Sequence, residues 1–211
     1  LIFHEWMGIG AHERHSADLL ASYGYLALAA DVYGRDDRPK TTADAPAYTQ
    51  RYRAGDRALM RARAQAALAA LRAHPLCDPS RVAAIGYCFG GTVALELARD
   101  GAELRAVVTF HAGLGTERPA GPGGLKSPIL ALHGAEDRFV PAAEVAAFQN
   151  EMRTSGADWQ FVQHGGAVHS YTNPGAGNKP EQGFAYHERA ARRSWNMMRS
   201  FLSEVFSQGQ S

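Results

Sequence analysis

One stretch, Gly86-Tyr87-Cys88-Phe89-Gly90-Gly91, constrains the fold of this chain more than any other. The apolar run Val82-Ala83-Ala84-Ile85 precedes it and Thr92-Val93-Ala94-Leu95-Glu96-Leu97-Ala98 follows, which reads as strand, sharp turn and helix. Glycine on both sides of one reactive residue has a mechanical reason. The turn holds its central residue in a strained backbone conformation, and a side chain at Gly86 or Gly90 would crowd it. The helix beyond opens with unpaired backbone N–H groups and the positive end of its dipole, where a thiolate or an oxyanion is stabilised. The pattern predicts a nucleophile elbow with Cys88 in the reactive position. A reading without chemistry also exists, in which Cys88 is a small buried hydrophobe and the glycines let a helix pack closely on a strand.

The rest of the chain bears on this choice through what it excludes. At 211 residues it is long enough for one domain, residues 1–211, with a substantial core. Lys and Arg total 22 against 21 for Asp and Glu, so no charge excess draws the protein to nucleic acid or to a membrane surface. Its two cysteines, Cys77 and Cys88, have no C-x-x-C spacing, which excludes a disulfide scaffold and argues for a cytoplasmic protein with reduced thiols. Cys77 lies in a turn without a basic partner nearby and reads as structural. No apolar run reaches the ~20 residues of a membrane-spanning helix. The chain opens at Leu1-Ile2-Phe3, inside a strand and without Met, so upstream strands and a cleaved leader stay open.

Along the chain, apolar runs alternate with helical patterns. Strands are expected at Leu1-Ile2-Phe3, at residues 25–30, at the elbow run, and at Ala106-Val107-Val108-Thr109-Phe110, Ile129-Leu130-Ala131-Leu132 and Trp159-Gln160-Phe161-Val162. Helices are expected over residues 11–23, 56–72, 141–154 and 187–206. Residues 35–54 are polar with two prolines and read as an excursion outside the core. Arg53, Arg57 and Arg61 fall on one stripe, read as a solvated face, with an anion-recruiting surface as the alternative. The alternation predicts a doubly wound, mostly parallel α/β sheet with helices on both faces.

A thiol that attacks an ester needs a base, a group that orients the base, and donors for the oxyanion. Cys88 follows the elbow strand, Asp137 comes just beyond the strand at 129–132, and His169 lies in the loop after the strand at 159–162. Nucleophile, acid and histidine in that order are the order of α/β-hydrolases.

Five motifs together resemble the dienelactone hydrolase family, the carboxymethylenebutenolidase-like esterases. They are the elbow, His4-Glu5-Trp6-Met7-Gly8, Asp31-Val32-Tyr33-Gly34, His133-Gly134-Ala135-Glu136-Asp137 with Val140-Pro141, and Gly166-Ala167-Val168-His169-Ser170-Tyr171. The resemblance implies the α/β-hydrolase fold and a Cys88, His169 and Asp137 triad that hydrolyses small esters or lactones through a thioacyl intermediate, without cofactor or metal. It further implies Glu5 as an extra carboxylate beside the thiol, accepting its proton or holding it at rest, and the backbone N–H groups of Phe89 and Trp6 as oxyanion donors. Tyr33, Arg35, Ser170, Tyr171 and Asn173 are the expected substrate-pocket residues, with Trp6, Tyr33 and Tyr171 as walls. The expected partner is a small-molecule substrate and the expected assembly a monomer or weak homodimer. The chain departs from the family at Asn173, where members that bind the dienelactone carboxylate carry arginine. A preference for neutral esters is therefore expected unless Arg35 or another arginine of the excursion compensates.

Other functions have less behind them. A metal-dependent hydrolase would use His12-x-x-His15, but there is no H-E-x-x-H and no carboxylate cluster. A non-catalytic binding protein on the same scaffold would retain the fold and show no burst with activated esters. A thiol-redox protein would need a resolving cysteine close to Cys88.

Overall fold

The computed structural model describes residues 1–207. Six strands form one sheet, β1 (Ile2–Phe3), β2 (Ala29–Ala30), β3 (Ala83–Tyr87), β4 (Ala106–Phe110), β5 (Ile129–Gly134) and β6 (Trp159–His164), in the order β2-β1-β3-β4-β5-β6. Every pairing is parallel. β4 and β5 are buried at every residue, as expected of parallel strands covered on both faces.

The helices divide between those faces. α3 (Ala58–Arg72), α4 (Phe89–Arg99) and α5 (Ala142–Ser155) cover one, where Met60, Leu68, Val93, Leu97 and Phe148 join a single apolar cluster. α1 (Ala11–Ser22) and α6 (Glu188–Ser207) cover the other, where Leu20, Met198, Phe201, Leu202 and Val205 meet Ile85, Tyr87, Val108 and Phe110. The buried positions of α6 recur at helical spacing, and burying each large one contributes about 1.5–3 kcal/mol. α5 stops at Gly156, whose φ of +70° suits a glycine at the helix end.

Three expectations need correction. The strand expected over 25–30 shrinks to Ala29–Ala30, with Leu26 exposed, because its one neighbour in the sheet, β1, pairs with it only at Ile2 and Phe3. The excursion is not wholly outside the core: it contains α2 (Ala45–Arg53), which buries Ala45, Thr49 and Tyr52. The arginine stripe is not a solvated face. The buried carboxylate of Glu96 on α4 accepts from Arg57 (3.1 Å), Arg61 (2.5 Å) and Arg99 (3.1 Å), which ties α3 to α4.

β1 leads to β2 on one side, and β3 then adds on its other side, so the connections diverge between β1 and β3. Such a switch point opens a crevice at the carboxyl ends of the strands. The loop after β1 carries Glu5 and Trp6, and the turn after β3 carries Cys88.

Candidate active site

Cys88 has φ 50° and ψ −115°, a strained conformation for a residue with a side chain, and its N–H is held by the Phe110 carbonyl at 2.9 Å. Close approach explains the glycines around it. A Cβ on Gly86 would lie 2.1 Å from the Gly90 carbonyl oxygen, and one on Gly90 would lie 2.3 Å from that of Phe3. Gly90 thus lets the start of α4 press against the end of β1, bringing the Glu5-Trp6 loop beside the elbow. Gly134 does the same at the end of β5, where a Cβ would lie 2.6 Å from the Ala167 carbonyl oxygen. That approach joins the Asp137 loop to the His169 loop.

His169 stands between the other two groups. Its Nε2 is 3.0 Å from Cys88 Sγ and its Nδ1 is 2.7 Å from Asp137 Oδ2. Since the carboxylate accepts the Nδ1 proton, Nε2 is left to exchange a proton with sulfur. Burial opposes charge on the imidazole, but the Cys88 thiolate charge and the Asp137 hydrogen bond outweigh it and raise His169 to about 10. Asp137 is fixed in turn by the Phe139 N–H on Oδ1 at 2.9 Å. An imidazole set between a sulfur and a carboxylate can take a proton from the sulfur and later return one.

Glu5 is buried at the same strand ends, with its partners in the His169 loop. Ser170 Oγ donates to one carboxylate oxygen at 3.2 Å and the Asn173 amide donates to the other. Burial, reinforced by Glu13, pushes the Glu5 carboxyl up to about 7, against the pull of Asn173, His169 and Ser170. Among the described residues the hydrogen-bond partner of the Cys88 sulfur is His169, and those of the Glu5 carboxylate are Ser170 and Asn173. Glu13 accepts from the Glu5 N–H at 3.0 Å and the Gly10 N–H at 2.7 Å, fixing the loop to α1. His4 Nε2 accepts from Val32 N–H at 3.1 Å, so its Nδ1 carries the proton and donates to the Glu5 carbonyl at 2.6 Å. Phe89 opens α4 and has no intrahelical acceptor for its N–H. Among the described residues, the N–H groups of Phe89 and Trp6 have no acceptor.

These groups open into a cavity of about 880 Å³. Glu5, Trp6, Cys88, His169, Ser170 and Asn173 line it. Tyr33, Tyr171 and Arg35 do not, which corrects the expected pocket. Tyr33 is fully buried and donates its hydroxyl to the Trp6 carbonyl at 2.9 Å, supporting the loop from behind. Tyr171 is buried beneath the His169 loop, its hydroxyl 2.8 Å from Ser194 Oγ. Arg35 is exposed away from the cavity. Asn173 lines the wall, but both ends of its amide are occupied, one by Glu5 and the other by the Gly175 N–H.

Arg53, read as part of a solvated face and also one of the excursion arginines named as able to compensate for Asn173, lines the cavity, and no ion pair of it exists among the described residues. Sequence reasoning missed other residues here. Glu144 lines the cavity and holds the loop after β4 through the N–H groups of Leu114 (2.6 Å) and Gly115 (2.8 Å). Phe139 lies against His169. Only Glu13 had a usable signal, its position three residues after Gly10 at a helix start. Among the described residues, no group of three His, Cys, Asp or Glu is placed to hold a metal ion, and no helix is long and apolar enough to cross a membrane.

Comparison with known proteins bears on the family and the fold. The model of the dienelactone hydrolase family matches residues 1–206. An uncharacterized protein of Caenorhabditis elegans is 37% identical over 155 residues, 70% of this chain and 95% of its own length. A crystal structure of a dienelactone hydrolase-like promiscuous phosphotriesterase from metagenomic libraries superposes with a TM-score of 0.90 at 45% identity, covering 97% of this chain and 84% of the other. An α/β hydrolase from a deep-sea metagenome of the Medee basin shares the fold, with a TM-score of 0.69 at 17% identity over 98% of this chain and 84% of its own.

Proposed function

We propose that this chain, which belongs to the dienelactone hydrolase family, hydrolyses small carboxylic esters or lactones with Cys88 as nucleophile, His169 as acid and base, and Asp137 as the orienting carboxylate. The observation that carries the reading is the line of Cys88 Sγ, imidazole and Asp137, with contacts of 3.0 and 2.7 Å. The thiolate attacks the carbonyl carbon, and the oxyanion is received by the N–H groups of Phe89 and Trp6. The carbon–oxygen bond to the alcohol then breaks as the His169 imidazolium gives its proton to the leaving oxygen, producing a thioester on Cys88 and a neutral imidazole. Water attacks the thioester and yields a proton to His169. Collapse expels the thiolate, releases the acid and restores the starting pair.

Where pH exceeds about 7 and Glu5 ionises, it acts through its field: its carboxylate favours the nearby His169 imidazolium. Arg53 offers an anionic substituent a guanidinium within the cavity, so the argument for neutral substrates from Asn173 alone is incomplete. A second substrate class follows from the 45% identical metagenomic enzyme, described as a promiscuous phosphotriesterase. A phosphotriester presents the same oxyanion donors with a phosphoryl oxygen.

The test is turnover of para-nitrophenyl acetate with mass analysis of the quenched enzyme. An acetyl group on Cys88 and loss of turnover in Cys88→Ala are expected. Undiminished turnover in Cys88→Ala overturns the mechanism.

A further inference from the structure

The part of the cavity nearest the imidazole is aromatic and open. The Phe139 N–H is held by Asp137 Oδ1, so the carboxylate that fixes His169 also fixes the point from which the Phe139 side chain departs. The Phe139 ring meets the His169 ring edge-on with centroids 5.3 Å apart, yet the residue is 58% exposed. A second ring stands close by. His169 N–H donates to the Gly183 carbonyl at 3.2 Å and Ala185 N–H donates to the His169 carbonyl at 3.1 Å, a bridge that sets Phe184 alongside His169. Phe184 is 37% exposed, and both phenylalanines line the cavity. Gly183 has φ +89°, and a Cβ there would lie 3.3 Å from the Phe139 ring, so glycine lets that ring settle over the segment.

Two exposed aromatic side chains flanking a reactive imidazole call for an apolar ligand. The chemistry decides which part of the substrate this is. His169 Nε2 delivers the proton to the departing oxygen, so that oxygen must come within hydrogen-bond reach of Nε2. Its substituent then lies against the residues that flank the imidazole, while the acyl oxygen is held at the N–H groups of Phe89 and Trp6. We infer that Phe139 and Phe184 form a leaving-group subsite, which selects esters of phenols and other large apolar alcohols. This inference rests on the proposed roles of Cys88 and His169.

The experiment separates the two steps of the reaction. Phenyl acetate and trifluoroethyl acetate form the same acetyl-enzyme from different alcohols, and comparing variant with parent for each ester cancels their intrinsic reactivities. In Phe139→Ala and Phe184→Ala the acylation rate with phenyl acetate should fall by about tenfold more than with trifluoroethyl acetate. Deacylation of the shared acetyl-enzyme should change far less, and Phe139→Leu, which keeps apolar surface, should fall between parent and alanine variant. Equal losses with both esters, or a matching loss in deacylation, overturn the proposal, because the rings would then be supporting His169 and not the alcohol. Failure of the underlying mechanism shows separately, as a parent enzyme that forms no acetyl thioester with either ester.

Discussion

Asn173 donates its side-chain amide to the Glu5 carboxylate while its own amide oxygen accepts the Gly175 N–H at 2.8 Å. The residue at which the resemblance to the family led to an expected arginine is thus engaged inside the protein. It holds a buried acid that remains reluctant to ionise.

That acid gives stability a pH dependence whose sign can be worked out. Glu5 is raised from 4.5 to about 7, so the folded protein binds this proton more tightly than the unfolded chain does. The associated stabilisation is fully present below about pH 4.5 and is lost as pH rises through about 7. Glu5→Gln keeps groups able to meet Asn173 and Ser170 but cannot ionise. Its unfolding free energy in urea should exceed the parent's by up to about 3 kcal/mol near pH 8, with the difference shrinking toward pH 4. A gain independent of pH would show that packing, and not ionisation, is responsible.

The charge on His169 depends on the sulfur in front of it. In Cys88→Ala the thiolate charge and its hydrogen bond disappear while Asp137 remains, so the imidazole should titrate at least about one unit below its parent value near 10. Nuclear magnetic resonance of the ring protons reads this directly. An unshifted titration would assign the raised value to Asp137 alone.

Substrate charge is decided by which cation the cavity retains. For a matched pair of small esters differing only in a carboxylate, Arg53→Gln should lower kcat/KM by about tenfold or more for the anionic member, and far less for the neutral one. If the parent disfavours the anionic ester and Arg53→Gln changes nothing, the preference for neutral esters expected from Asn173 stands.

The contact at Gly134 joins two loops of the site. Gly134→Ala places a Cβ 2.6 Å from the Ala167 carbonyl oxygen, where backbone must move. Overpacking of this kind costs about 1–3 kcal/mol, and the shift should also separate His169 from Asp137. Calorimetry should show a lowered Tm, and acylation should slow even in the folded fraction. A variant with parent-like Tm and acylation would mean that the two loops slide past each other freely.

The order of strands and helices, the elbow and the three strand-end residues Cys88, Asp137 and His169 were legible in the sequence, because each depends on neighbours close along the chain. Apolar periodicity marks a strand, glycines mark a tight turn, and parallel strands put their following loops at one end of the sheet. A loop position does not say which way a side chain turns. Tyr33 and Tyr171 were therefore expected on the cavity wall, and the folded chain uses both as buried support. A helical stripe likewise shows which residues share a face but not what packs on it. Glu96, 35 positions from Arg61, turned an expected solvated stripe into a buried ion-pair network. Glu5 and Asn173 are 168 positions apart, and only the tertiary fold brings their two loops together. The local signals determined the scaffold and the candidate nucleophile, base and acid. Tertiary packing decided the charge, walls and partners of the site, because burial and long-range hydrogen bonds depend on residues that no local pattern connects.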